Sequence, residues 1–211
     1  MKKEPTTILC YGDSNTYGKD PETGARLGYH DRWTNLLAKH LGDDFNVIEE
    51  GLCGRTIIFD DEDPARPCCN GYTMLAPLLA SHNPDYLVVM LGTNDTRYFN
   101  NASPDEIVNH LSHYIKLCQK FSSRLILIAP CPASSGFIDP ITGLSANQAF
   151  NFASYEKMQK LPAKMAEFAK KHKLDFINPA AYTKTGQDHL HWDKQSHKKF
   201  AYHLSEYIKN L

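Results

Sequence analysis

Short runs of apolar residues, alternating with stretches of helical period, constrain this chain more than any other feature. Residues 8–11, 46–48, 86–91 and 125–129 are near-continuous runs rich in Ile, Val and Leu, and Phe176-Ile177 is a shorter one. Runs of this length and uniformity fit strands buried on both faces, as in a parallel sheet covered by helices. Between them the apolar spacing changes. Trp33, Leu36, Leu37, His40 and Leu41 mark one amphipathic helix, stopped by Gly42. Ser103-Pro104-Asp105-Glu106 is a capping box with proline at the first helical position. It opens a helix whose apolar face is Ile107, Leu111, Tyr114, Ile115 and Cys118. A third pattern carries Met158, Leu161, Met165 and Phe168, with Pro162 as a kink or as its true start. The last, Phe200, Leu204, Tyr207, Ile208 and Leu211, runs to the end of the sequence. This alternation predicts an α/β fold: a three-layer α/β/α sandwich around a parallel sheet of about five strands, with right-handed crossovers.

A chain of 211 residues can bury a full core without staples, and neither of its two long connections is long enough to be a domain. A single domain over 1–211 is expected. Residues 14, 54 and 94 are evenly spaced, but their surroundings are not self-similar, so the spacing reads as the length of a βα unit. Two long connections, 59–72 and 131–152, are candidates for functional loops. The 23 basic and 24 acidic residues are well mixed, with a net charge of −1. No basic stripe suggests nucleic acid or a membrane surface, and a neutral or weakly charged substrate is expected. Met1-Lys2-Lys3 is followed by Glu4-Pro5 and only a short apolar stretch, which predicts neither a signal peptide nor a spanning helix. The cysteines are scattered rather than arranged as a framework. Cys10, Cys118 and Cys131 read as small buried hydrophobes, Cys68 and Cys69 as a pair of loop thiols, and the expectation is a reduced, cytoplasmic protein.

Chemistry enters at Gly12-Asp13-Ser14, where the first apolar run ends in a tight turn of small residues. In an open parallel sheet, groups following the carboxyl ends of adjacent strands converge on one crevice. Ser14 follows the first strand, Gly54 the second and Asn94 the third. An acyl transfer needs donors aimed at a developing oxyanion. The backbone N–H of Ser14, the N–H of Gly54 and the side-chain amide of Asn94 are the candidates. Asp188 and His191, three residues apart on an irregular segment, pair a carboxylate with an imidazole. That contact fixes the tautomer and leaves Nε2 free to take the Ser14 proton. The set reads as a serine hydrolase with no cofactor.

Other polar residues read as structural. Asp13 and Asp95, beside Gly and Asn, read as turn or cap residues. His189-Leu190-His191 lacks a companion ligand cluster, so no metal is expected. His40, His110, His113, His172 and His203 read as helix-surface residues, and Glu49-Glu50 as the end of a strand. A flavin or nucleotide module is disfavoured because residues 12–18 hold neither a G-x-G-x-x-G nor a phosphate-binding lysine pattern. A non-catalytic interaction protein would not require Ser, Asn, Asp and His together.

These residues resemble the SGNH-hydrolase, or GDSL-type esterase and lipase, superfamily. Its four blocks stand here as Tyr11-Gly12-Asp13-Ser14-Asn15, Glu50-Gly51-Leu52-Cys53-Gly54, Leu91-Gly92-Thr93-Asn94-Asp95 and Asp188-His189-Leu190-His191. The resemblance reaches almost end to end and is greatest to the bacterial arylesterase/acyltransferase branch, which includes perhydrolase-type enzymes. It implies a flavodoxin-like sandwich, Ser14 as nucleophile, His191 as base, Asp188 as its orienting carboxylate, and Ser14, Gly54 and Asn94 as the oxyanion hole. It further implies a small short-acyl or aryl ester as substrate. Acyl transfer to an alcohol or peroxide, and a homo-oligomer narrowing the entrance, are features of the branch. Carbohydrate acetylesterase, lysophospholipase and thioesterase activities are alternatives on the same machinery. Asn15 replaces the leucine of the nominal motif, and Asn15, Tyr17 and Trp192 are expected at the substrate pocket, with Trp33 a further candidate aromatic.

Overall fold

A computed structural model describes residues 4–61 and 68–211. The expectations for residues 1–3 and for the middle of the 59–72 connection lie outside the described residues. Five strands, β1 (Thr6–Gly12), β2 (Phe45–Gly51), β3 (Tyr86–Met90), β4 (Arg124–Ile128) and β5 (Asp175–Ile177), form one sheet in the order β2-β1-β3-β4-β5, with every pair parallel. The helices are α1 (Ser14–Tyr17), α2 (Trp33–Leu41), α3 (Gly71–His82), α4 (Pro104–Asn109), α5 (Leu111–Phe121), α6 (Phe152–His172) and α7 (Lys194–Lys209).

Side chains alternate across the sheet with the pleat. Leu9, Tyr11, Leu87, Val89, Leu125 and Leu127 point into one apolar cluster with residues of α3, α4, α5 and α6. Ile8, Cys10, Val88, Met90, Ile126 and Ile128 point into the other, against Trp33, Leu37 and Leu41 of α2 and Phe200, Leu204 and Ile208 of α7. The three central strands are thus buried on both faces, which explains their unbroken apolar runs. β2 differs: all its residues but exposed Asn46 are only partly buried, because it is an edge with one neighbour.

The capping box at Ser103 is present, with Ser103 N donating to Glu106 at 2.8 Å. The helix it opens is two helices, α4 and α5, separated at His110, yet Ile107, Leu111 and Tyr114 still face one cluster. α6 runs through Pro162, which is buried within it rather than starting it. α3 has no sequence-based expectation behind it. Asn70 caps it by accepting from Tyr72 N and Thr73 N, and Pro77 lies inside it. Trp33 is fully buried, its ring edge-on to Phe200 at 5.0 Å, so it lines no pocket.

Candidate active site

β1 ends where Gly12 pairs with Gly51 of β2 and with Met90 of β3. Asp13 then caps α1, its carboxylate accepting from Asn15 N at 3.0 Å. Ser14 is the first residue of that short helix, and first-turn amides have no intrahelical acceptor. Gly51 is required by close approach: a Cβ there would sit 2.1 Å from Tyr17 N. Gly54 has φ +87, a left-handed conformation that costs glycine nothing. Asn94 opens a single turn of tight helix after β3. These segments follow the carboxyl ends of β1, β2 and β3, where the strand order reverses, and in doubly wound sheets that is where ligands bind.

The structure brings the distant 188–191 segment to the same place. His191 Nε2 lies 2.7 Å from Ser14 Oγ, and His191 Nδ1 lies 2.5 Å from Asp188 Oδ2. Asp188 Oδ1 accepts from the backbone amides of Leu190 and His191, at 3.0 and 2.9 Å. Burial alone would raise the Asp188 pKa. The His191 hydrogen bond and charge, with the two amides, outweigh it and hold the carboxyl below its usual range. A carboxylate on Nδ1 sets the tautomer, leaving Nε2 as the acceptor facing Ser14.

Asn94 is held on both ends. Arg97 Nη2 donates to its Oδ1 at 3.0 Å, and its own Nδ2 donates to the Arg55 carbonyl at 3.1 Å. With its oxygen engaged by a guanidinium and one amide proton given to the Arg55 carbonyl, the Asn94 amide has one proton left to donate. Arg97 also pairs with Asp61 at 2.8 Å, both side chains being almost fully buried. Arg55 Nη1 donates to Gly12 O at 2.9 Å and to Glu50 O, with its guanidinium 4.0 Å above the Tyr11 ring. Neither arginine was anticipated; the only signal was an arginine following each of the two motifs closely. Asp13 and Asp95 are structural, as expected. Burial pushes Asp13 up to about 6 and Asp95 up to about 7, against the pull of their backbone hydrogen bonds. Asp95 anchors the Gly54 loop by accepting Ile57 N at 2.9 Å.

A cavity of about 400 Å³ opens at Ser14 and is lined by Tyr17, Leu52, Gly54, Asn94, Phe150 and His191. Tyr17 lines this cavity, whereas the other two residues expected at a pocket, Asn15 and Trp192, do not. Asn15 is buried, and its Oδ1 is taken by Trp192 N at 2.9 Å, so it tethers the two chain segments rather than lining the pocket. Trp192 is fully buried against Phe200 at 4.9 Å, because it turns inward to the sheet side while His191 turns outward. Among the described residues there is no His/Cys/Asp/Glu group able to hold a metal ion, and no helix long and apolar enough to cross a membrane.

No curated protein matches the chain. The native aryl esterase of M. smegmatis superimposes with a TM-score of 0.87 at 30% identity, covering 98% of this chain and 99% of that one. A carbohydrate acetylesterase from Sinorhizobium meliloti does so with a TM-score of 0.87 at 29% identity, covering 97% and 99%. A member of the lipolytic G-D-S-L family from Veillonella parvula, at 15% identity and a TM-score of 0.70 over 98% of this chain and 100% of that one, shows the fold alone. The family model that matches residues 10–207 is that of the GDSL-like lipases and acylhydrolases. By that match, spanning nearly its whole length, the chain belongs to the GDSL-like lipase/acylhydrolase family and is a hydrolase acting on esters.

Proposed function

We propose that this protein is a serine esterase that cleaves small, short-acyl esters through an acyl-enzyme on Ser14. The observation that carries the reading is the hydrogen-bonded line Ser14 Oγ, His191, Asp188, with contacts of 2.7 and 2.5 Å. His191 Nε2 takes the hydroxyl proton as Oγ attacks the ester carbonyl. Negative charge on the carbonyl oxygen is met by the N–H groups of Ser14 and Gly54 and by the Asn94 amide. Collapse breaks the bond to the leaving oxygen, which takes the proton back from His191. Water then repeats the sequence on the acyl-enzyme and releases the acid. Proton transfer of this kind contributes about 10²- to 10⁴-fold, and each oxyanion donor about 10²- to 10³-fold.

A small substrate fits the cavity at Ser14, which is about 400 Å³ and has Leu52, Phe150 and Leu190 among its walls. The two neighbours near 30% identity, an aryl esterase and a carbohydrate acetylesterase, agree on an ester and differ in the alcohol. Labelling with a fluorophosphonate, with the adduct mapped by mass spectrometry, tests the nucleophile. The adduct is expected on Ser14, and Ser14→Ala is expected to lose aryl acetate hydrolysis with its fold intact. Unchanged turnover in that variant would overturn the reading.

A further inference from the structure

The 59–72 connection reaches the active site through Asp61. Its first residues are pinned from two sides. Thr56 Oγ1 donates to Phe59 O at 2.6 Å, and Asn70, which caps α3 through its oxygen, donates from Nδ2 to Asp60 Oδ1 at 3.1 Å. Asp61 follows, and its Oδ2 accepts from Arg97 Nη1 at 2.8 Å. The two side chains are 5% and 4% exposed, so the pair is formed away from water. The other terminal nitrogen of the same guanidinium, Nη2, donates to Asn94 Oδ1 at 3.0 Å.

A guanidinium is planar and holds its N–H groups in fixed directions. A carboxylate seated on Nη1 therefore sets where Nη2 points. The direction matters because the two ends of the Asn94 amide share a shape but not a polarity: the nitrogen donates and the oxygen accepts. Turned over, the amide would face its oxygen to the Arg55 carbonyl and leave no donor for an oxyanion. Two contacts oppose that turn, the Arg55 carbonyl on Nδ2 and the Arg97 guanidinium on Oδ1. The order carboxylate, cation, amide in Asp61, Arg97 and Asn94 parallels that of Asp188, His191 and Ser14, where a carboxylate orients the group that touches the reacting atom. Arg97 and Asn94 line the cavity at Ser14 and Asp61 does not, so what Asp61 does there passes through Arg97.

We propose that Asp61 is a positioning residue of the oxyanion hole. By holding Arg97 it keeps the nitrogen end of the Asn94 amide turned to the reacting carbonyl, so the 59–72 connection acts on turnover rather than on substrate binding. The proposal rests on the role given to Asn94 above. The test measures kcat and KM on an aryl acetate for Asp61→Asn and for the paired replacement Asp61→Leu with Arg97→Met. Each is made alone and again together with Asn94→Ala. Asp61→Asn keeps the shape and an oxygen for Nη1 while giving up the charge. The paired replacement takes out both charges, so neither is left buried without the other.

With Asn94 present, kcat is expected to fall about fivefold in Asp61→Asn and about tenfold in the paired replacement, with KM little changed, the scale of one charge-assisted hydrogen bond. With Asn94→Ala the same changes are expected to cost less than about twofold, because the amide they orient is gone. Losses as large without the amide as with it would show a purely structural role and overturn the proposal. A change confined to KM, or full kcat in the paired replacement, would overturn it as well. A loss below about tenfold in Asn94→Ala alone would instead remove the oxyanion role of Asn94 itself.

Discussion

At the strand ends, over residues 12–18, 51–57 and 92–97, the polar side chains of Asp13, Asn94, Asp95 and the two arginines are fixed by largely buried partners. Asn94 is clamped between Arg97 and the Arg55 carbonyl, and Arg55 ties β1 to β2. Across the cleft, the 136–148 loop is held largely by its own turns. Asp139 caps the amides of Ile141 and Thr142 just beyond it, and Ile141 is 93% exposed. The difference separates two tasks. Atoms that meet developing charge must not reorganise during reaction, so they sit on the rigid sheet. A loop outside that frame can be substituted while the core is left untouched.

The contrast can be broken by substitutions of descending effect. Asp188→Asn removes the carboxylate that sets the His191 tautomer, and kcat on an aryl acetate is expected to fall about 10⁴-fold by analogy with other triads. Asn94→Ala is expected to cost about 10²- to 10³-fold in kcat. A loss below tenfold would show that the amide points elsewhere. Arg97→Lys keeps the charge beside Asp61 but loses the forked donor to Asn94. Steady-state kinetics are expected to show kcat down about tenfold with KM little changed. A change confined to KM would deny Arg97 its positioning role.

Stability against pH sharpens the same comparison. The folded pKa of Asp95 is raised to about 7 from 3.8, so the folded state holds the proton more tightly than the unfolded one. Its contribution is complete below pH 3.8 and is lost as pH rises through 7. His197, buried beneath α2 with Trp33 N on its Nδ1 at 3.3 Å, works in the opposite sense. Burial lowers its pKa to about 4, so its contribution is complete above 6.5 and is lost as pH falls toward 4. Urea unfolding from pH 4 to 8 is expected to show that Asp95→Asn flattens the alkaline decline, while a His197→Gln variant flattens the acid one. The smallest effect belongs to the loop. Ile141→Ser is expected to change stability by no more than about 0.5 kcal/mol and to leave aryl acetate turnover unchanged.

Each element legible in the sequence had a local cause. The runs of β1, β3 and β4 are apolar because both faces are covered, and the Ser103 capping box is a contact within four residues. Ser14, Gly54 and Asn94 were placed at strand ends, and the structure gathers them. α3 escaped because its apolar positions show little helical period and Pro77 and Gly71 argue against a helix. Trp192 was misjudged because an aromatic beside His191 reads the same in sequence whether it turns out to the cleft or in to Phe200. Arg55 and Arg97 were missed because their partners are main-chain carbonyls, the Asn94 amide oxygen and a carboxylate 36 residues away, none of which local pattern reveals.

The sequence by itself determined the layered α/β fold and the order of reactive groups along it, since periodicity and turn chemistry act between near neighbours. Only the tertiary structure decided which way each side chain faces, how Asn94 is clamped, and which carboxylate stands behind that clamp. Those follow from contacts across as many as 177 residues of chain, as between Ser14 and His191, where packing chooses among orientations that local preference leaves equal.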